Sequence, residues 1–512
     1  MSRELPSAMH DIEPIAAAKH FASLVSLYRE SGHEEHARRY VHSWADSRGF
    51  AVREDKVGNI AVDVPASPGC NEKQRVIAQG HLDMVCTSAD GQYDFKNQPI
   101  TLARTGDTVH SLENKTTIGA DNGMGVAMAM AVAEDPNIKR PPMTLLFTVQ
   151  EETGCDGAAG IGEDMIPSGA VGIVNLDSEE GPGMICNGSA GGSIIEGRLN
   201  FYSGAKIEAK KLPEWQSGIS AFKITLKGLK GGHSGVNINE YAGRGSAIDL
   251  LAEMLNVLKD ETTYYLRSFN GGERHNALAE SASAEVFVPH EKGAGFRDLL
   301  VQAESELKEQ YGDDASLSLE PIDITDDSLC LTESARNETL KTICSLPHGP
   351  IESAGRKVSV SSNTGIVRTT DAGVEITCHM RAALDKVEAA ARVREAITKL
   401  LAQSTGSIYA TVPRVMNYDG WQEPPGSRLV SVAEEVTHAQ SLEPMVFAYH
   451  AGLELQAIRG RLAELGLAGE GFSCVSIGPK ITNVHSSREA VHVSTIKPTY
   501  DLLVGMLERL AA

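Results

Sequence analysis

The sequence predicts an α/β fold, one sheet flanked by helices, interrupted by an inserted α+β region. Three patterns lead there. Short apolar runs at 76–79, 143–149 and 171–176 read as buried strands, and helical periodicity alternates with them. From about residue 190 that alternation gives way to a different order of elements. After about residue 416 the first character returns, so the inserted region interrupts one sheet domain.

Phe21, Leu24, Val25, Leu27 and Tyr28 set one apolar helical face, and Ala37, Tyr40, Val41, Trp44 and Ala45 a second. The segments 49–52 and 58–62 pair as a hairpin. Strand 76–79 follows, then a helix over 122–134 rich in Ala and Met, then strands 143–149 and 171–176. In the insert, 221–226 alternates, a Gly-rich turn spans 231–235, and 242–258 is helical. Strands 262–269 and 281–288, helix 293–309 and strand 315–320 complete its first half. Helix 333–345, strands 357–367 and 373–381, helix 384–403 and strand 407–414 make the second. Both halves read α-β-β-α-β, which predicts an internal duplication. Helix 429–437, an extended segment 444–448, strand 474–478 and a closing helix 496–510 end the chain. The predicted domains are 1–190 with 416–512, and 191–415.

A chain of 512 residues suits two or three domains. Its apolar content of 41% is ordinary for a globular protein, and no apolar stretch is long enough to span a membrane. The first residues lack the apolar core of a signal peptide, so the expected location is cytoplasmic. The net charge is 47 − 68 = −21, which repels nucleic acid and anionic membrane and argues against both as partners. Eight scattered Cys without a CxxC pair read as reduced core residues.

The chemistry-bearing residues follow the strands at their C-terminal ends, the edge where open α/β sheets build sites. His81 follows the first strand, and Asp83 stands two residues on, where a carboxylate can hold the other ring nitrogen and raise the ring's basicity as a ligand. Asp121 opens the 122–134 helix within Gly119-Ala120-Asp121-Asn122-Gly123. It could serve there as an N-cap, but a carboxylate shared by two metals also fits, and the flanking glycines leave space for close approach. Glu151 and Glu152 are adjacent and point to different sides, so one can bind metal while the other faces a bound water as general base. Asp177 lies nearest the end of its strand, and Glu179 and Glu180 read as loop acids. His485 sits in a polar loop, whereas His492 lies in an alternating segment and reads as packed. Two His, two Asp and one Glu, with Asp121 shared, give each of two metals three protein ligands and an open position, the catalytic zinc pattern. Two such ions about 3.5–4 Å apart can clamp a hydroxide and polarise a carbonyl.

Further motifs run through the chain: Val57-Gly58-Asn59-Ile60, Leu229-Lys230-Gly231-Gly232-His233-Ser234-Gly235, Phe269-Asn270-Gly271-Gly272, His450-Ala451-Gly452-Leu453-Glu454 and Ser476-Ile477-Gly478-Pro479. Together with the ligand set they resemble the co-catalytic zinc metallopeptidases related to aminoacylase and carboxypeptidase G, over almost the whole chain. The likeness is greatest to the family's bacterial dipeptidases. It implies a mixed-sheet zinc-peptidase catalytic domain with an inserted α+β lid domain of the dimerisation type, two Zn2+ per chain (Mn2+ or Co2+ being alternatives), and a possible homodimer. It implies that His81, Asp121 and Asp177 hold the first metal and Asp121, Glu152 and His485 the second. Glu151 would be the general base that activates a water bridging the zincs, and Asp83 the brace of His81. His233 would steady the oxyanion, and Asn276 and Arg381 would hold the substrate's carboxylate, with hinge motion near 190 and 415. In this family Asp at the place of Asp177 goes with substrates bearing a free amino terminus. The implied reaction is hydrolysis of dipeptides, Xaa-His such as β-alanyl-histidine among them. The rivals are an amidohydrolase of N-acyl amino acids and a silent peptide-binding homologue. Two stretches depart from the family. At 28–35 Tyr28-Arg29-Glu30-Ser31-Gly32 stands where a Pro-His-Pro-Ser-type turn is usual, and 203–218 looks inserted. Neither is expected to touch a proposed ligand.

Overall fold

The computed structural model describes residues 5–512 except 90, 355, 356 and 470. They divide into two compact units, Met1–Gly188 with Trp421–Ala448 and Leu453–Ala512, and Ser189–Gly420 with Tyr449–Gly452. The change of unit thus falls at 420/421 rather than 415/416, and the short segment 449–452 belongs to the second unit. Among the described residues no helix is long and apolar enough to cross a membrane.

The sheet of the first unit runs, in spatial order, through Ala51–Glu54, Ile60–Val64, Met143–Thr148, Val76–His81, Gly172–Asn175, Ser473–Ser476, Met184–Ser189 and Trp421–Gln422. The four inner strands from Met143–Thr148 to Ser473–Ser476 are parallel, while antiparallel pairs border them, so the sheet is mixed. Every residue of those four strands is buried, as expected for parallel strands covered on both faces. The helix Ala120–Glu134 is buried from Ala120 to Ala133. Its Ala, Gly and Met side chains let it pack between the sheet strand Val76–His81 and the helix Ile15–Val25. The helix begins two residues earlier than its periodicity suggests, but Asp121 and Asn122 have non-helical backbone angles. A four-stranded sheet joins Leu102–Thr105, Thr108–Ser111, Ala490–His492 and Ile481–Thr482. The loop of its last hairpin carries His485.

The second unit holds one sheet in the order Ser316–Ile322, Ile219–Lys227, Ala282–Pro289, Tyr265–Gly271, Lys357–Thr369, Gly373–Ala382, Gly191–Phe201, Ile408–Tyr418. It is two βαββαβ modules edge to edge. The first consists of Ile219–Lys227, helix Ala247–Glu261, Tyr265–Gly271, Ala282–Pro289, helix Gly293–Tyr311 and Ser316–Ile322. The second consists of Gly191–Phe201, helix Glu333–Ser345, Lys357–Thr369, Gly373–Ala382, helix Val387–Leu401 and Ile408–Tyr418. In each module the strands stand in the spatial order fourth, first, third, second. The first module is inserted after the opening strand of the second. That opening strand, Gly191–Phe201, has no counterpart in the sequence reading, because Gly191, Gly192 and Gly197 dilute its alternation. Between the modules, Tyr265–Gly271 meets Lys357–Thr369 with one registered pair, Gly271 with Val367. Side chains close the rest of that seam. Thr369 Oγ1 donates to Phe269 O (2.9 Å), Asn270 Oδ1 accepts from Thr369 N (2.9 Å), and Arg368 Nη1 donates to Gly271 O (2.7 Å). The apolar core beneath is continuous across both modules.

Candidate metal centre

The parallel strands deliver the site. His81 ends its strand opposite Thr148, so the loop after Thr148 brings Glu151 and Glu152 to the same edge. Gln79 pairs with Asn175, which places Asp177 two residues beyond the strand end at the same edge. Asp121 comes from the start of the Ala120–Glu134 helix and His485 from the 481–492 hairpin. His81 and Asp83 are 1% and 0% exposed, Asp121 7% and Asp177 9%.

The two carboxylate oxygens of Asp121 face different histidines. His81 Nε2 lies 2.9 Å from Asp121 Oδ1 and 3.8 Å from Asp177 Oδ2. His485 Nε2 lies 3.2 Å from Asp121 Oδ2 and 2.8 Å from Glu152 Oε2. In His81–Asp121–Asp177 and again in Asp121–Glu152–His485, the three ligand atoms lie within 4.8 Å of one another. Glu151 joins His81 and Glu152 in a third such group. His492 stands apart, its ring 3.7 Å from Asp107.

Burial works against charge on every member of this cluster, and the members answer in opposite directions. Asp177, Asp121 and Asp83 outweigh burial at His81 and lift its pKa well above the ordinary imidazole value. Glu152 and Asp121 do the same at His485. The two rings in turn hold Asp121 well below the usual carboxylate range. Burial and the surrounding acids push Glu151 and Asp177 well above that range, and Glu152 upward. So many acids in a buried space cannot all stay ionised without added positive charge. Glu152 Oε1 and Asp177 Oδ1 are buried without a hydrogen-bond partner among the described residues. Paired His nitrogens and carboxylate oxygens, a shared Asp and unpartnered buried oxygens make a donor set that suits divalent metal.

Asp83 is a hub. Its Oδ1 lies 3.3 Å from His81 Nδ1 and accepts the Glu151 N–H (3.1 Å). Its Oδ2 accepts the Glu152 N–H (3.1 Å) and the Ser31 hydroxyl (2.8 Å). One carboxylate thus orients the His81 ring and the backbone of the Glu151–Glu152 turn. The contact from Ser31 brings the 28–35 segment to the brace Asp83, beside the proposed ligands rather than onto one. Glu34 of that segment also accepts the Gln150 N–H at 3.0 Å.

The sequence reading attaches no site role to three features, Glu179 among them, which it takes as a loop acid. Glu179 is half-buried in the field of Asp121 and Asp177 and, with burial, is pushed well above the usual carboxylate range. Glu454, fully buried, accepts from Gln79 Nε2 and Thr148 Oγ1, and burial raises its pKa to about 7. Through Gln79 it reaches Asn175 (2.6 Å), so it links the ends of three ligand-bearing strands. Its signal was the closing Glu of the His450–Glu454 motif, to which no role had been attached. The third feature is the buried pair Arg29 and Glu489.

The second unit gathers a group of opposite character. Arg381, 3% exposed, donates from Nη1 to the Tyr418 hydroxyl (3.1 Å), and its Nη2 lies 3.3 Å from His233 Nε2 and 3.4 Å from His379 Nδ1. Its Nε has no partner among the described residues. His275 Nδ1 lies 3.1 Å from His379 Nδ1, and His450 Nε2 lies 2.8 Å from Ser361 Oγ. Burial and the guanidinium together drive His379 well below the usual imidazole value and His450 down to about 4. Asn276 is half-buried beside His233, its carbonyl accepting the Ser234 N–H at 2.8 Å. The structure therefore brings His233, Arg381 and Asn276 to one neighbourhood of the second unit.

A family model described as a peptidase dimerisation domain of the M20 group matches residues 224–315. A curated relative, the cytosol non-specific dipeptidase of Escherichia coli, is 33% identical over 499 residues, covering 96% of this chain and 97% of its own. The chain belongs to the M20 peptidase family. Among solved structures, the aminoacylhistidine dipeptidase of Vibrio alginolyticus superposes with a TM-score of 0.68 at 28% identity, covering 98% of each chain. The aminopeptidase PepT of Bacillus cereus shares the fold, with a TM-score of 0.54 at 18% identity over 98% of this chain and 100% of its own. M20 membership agrees with the mixed-sheet peptidase fold and inserted lid-type domain read from the sequence.

Proposed function

We propose that this protein is a cytoplasmic, dinuclear-metal dipeptidase acting on dipeptides with a free amino terminus, Xaa-His such as β-alanyl-histidine among them. The observation that carries the reading is Asp121, with one oxygen toward each of two His–carboxylate sets. On this reading His81, Asp121 and Asp177 hold one zinc ion, and Asp121, Glu152 and His485 the other. Bound there, two ions act as Lewis acids toward a water and the scissile carbonyl. Glu151, whose carboxyl joins the cluster beside His81, takes the proton from the attacking water and returns it to the leaving nitrogen. His233 steadies the developing oxyanion. Arg381, a buried cation to which the described residues offer no carboxylate, takes that of the substrate together with Asn276. Asp177 at the first-metal position favours dipeptides over N-acyl amino acids.

The match of residues 224–315 supports a homodimer, which light scattering tests. The shared topology of the two βαββαβ modules supports an internal duplication. The deciding experiment is a panel of dipeptides, including β-alanyl-histidine, against N-acetyl amino acids. It is run on metal-stripped protein and on protein reloaded with zinc, manganese or cobalt. Dipeptide hydrolysis restored by metal is the expected result. Preferred cleavage of N-acetyl amino acids, or inactivity with every metal, would sink the reading.

A further inference from the structure

Gly119 and Gly123 flank Asp121, and the space they leave is filled by a protein side chain. A Cβ on Gly119 would stand 2.2 Å from Arg29 Nη2, and one on Gly123 2.7 Å from the same atom. Arg29 comes from the segment that departs from the family and is 1% exposed. Its Nη1 donates to Leu82 O (2.9 Å) and Asp83 O (2.7 Å), and its Nη2 donates to Gly119 O. Glu489, 2% exposed, grips the same turn by its amides. Its Oε2 accepts from Ile118 N (2.8 Å) and Gly119 N (3.0 Å), and its Oε1 from Ala120 N (2.7 Å) and Asp121 N (3.2 Å). These four consecutive amides belong to the irregular turn that precedes the regular helix, where Asp121 and Asn122 have non-helical backbone angles. With Glu489 holding the turn, the Asp121 carboxylate faces His81 and His485.

The two side chains tie the ligand loops to one another. Arg29 joins the 82–83 turn, next to His81, to the 119 turn. Glu489 lies on the hairpin that carries His485 and joins it to Asp121. A buried Arg and a buried Glu each carry a large desolvation cost, and seven hydrogen bonds to backbone groups are what offsets it here. Neither is among the groups able to hold a metal.

We propose that Arg29 and Glu489 are positioning residues that set how the bridging carboxylate of Asp121 is shared between the two metal positions. The inference rests on the two-metal reading above. R29M, R29K and E489Q are compared with the parent and with E134Q, whose site is remote from the turn and should affect folding stability only. Zinc titration against a chelating dye gives stoichiometry and affinity. Electron paramagnetic resonance of the manganese-loaded protein reports whether two ions sit within coupling distance, and thermal melting of the metal-stripped proteins reports the fold. The expected result is zinc binding about 10–100-fold weaker in the Arg29 and Glu489 variants, with the coupled manganese signal weakened or lost and E134Q like the parent in both. R29K keeps the charge but loses the planar fork, so it carries the comparison where R29M does not fold. Folded variants with parental affinity and an intact coupled signal overturn the inference. A parent that binds one ion overturns the two-metal reading instead, and the ratio of variant to parental affinity still decides the role of the pair.

Discussion

Histidine behaves in opposite ways in the two units. In the first, His81 and His485 stand among acids and are lifted well above their ordinary pKa. In the second, His379 and His450 stand with Arg381, and burial and the guanidinium drive them down. One cluster is dominated by carboxylates and the other by a guanidinium and imidazoles. The same side chain is thus raised by carboxylates in one place, where it is proposed as a metal ligand, and lowered beside a cation in the other. Surroundings, more than residue type, decide which chemistry a histidine serves. On the proposed reading, a dipeptide offers a carbonyl suited to metal and a carboxylate suited to guanidinium.

The contrast can be broken from its acidic side first. Glu151→Ala should lower kcat by a factor of 10³ or more while zinc stoichiometry measured on the purified protein stays parental. Substantial turnover in that variant would remove Glu151 from the role of base. Removing metal with a chelator should abolish activity, and zinc should restore it. Burial and the neighbouring acids push Asp177 and Glu152 up, and the acids lift His81 and His485, so metal binding at these groups should release protons. Zinc affinity should therefore rise with pH, with proton release visible in calorimetry carried out in buffers of different ionisation enthalpy.

From the basic side, Arg381→Met should lower kcat/KM for dipeptides about 100-fold, the scale of a lost charged hydrogen bond. Dipeptide amides, which lack the carboxylate, should be cleaved equally by parent and variant. The same substitution tests the depressed histidine. His450 folds with a pKa of about 4 against 6.5 in the unfolded chain, so the folded state binds fewer protons between those values. Stability is lost as pH falls through that window, and removing Arg381 should make the loss smaller in pH-dependent denaturant melts.

The smallest effect lies outside both clusters. Burial opposes charge on Glu134, but His20, Trp44 and Arg48 outweigh it and hold its pKa at about 2 against 4.5. Its contribution is present above pH 4.5 and fades as pH falls toward 2. Glu134→Gln should remove on the order of 1 kcal/mol of acid-sensitive stability, because solvent screens this partly exposed group. A larger loss in urea melts at pH 7 would mean the residue does more than pair.

What was legible in the sequence was whatever local pattern carries. His81, Glu151–Glu152 and Asp177 stand just beyond buried strands, and parallel strands put such positions on one edge. The interleaved modules were harder to see, because the Gly-rich strand Gly191–Phe201 lies far in sequence from the elements it completes. Arg29 and Glu489 were invisible for a different reason. They act on backbone atoms of distant segments, and a backbone atom leaves no residue type to notice. Gly119 and Gly123 did leave a trace, read as room for close approach, and Arg29 occupies that room. Glu454 was quoted within a motif, but its partners Gln79, Thr148 and Asn175 look like ordinary strand residues until the strands are side by side.

The seam between the two βαββαβ modules has a mechanical consequence. Along most of that sheet, neighbouring strands share long ladders, but here a single registered pair and a few bonds from Arg368, Thr369 and Asn270 join the two strand edges, and the shared apolar core supplies the rest of the hold. A sheet built so has a preferred line of fracture. Under a pulling force, or in the rare openings that expose amides to solvent exchange, the two halves should part along this line before either loses its own strands.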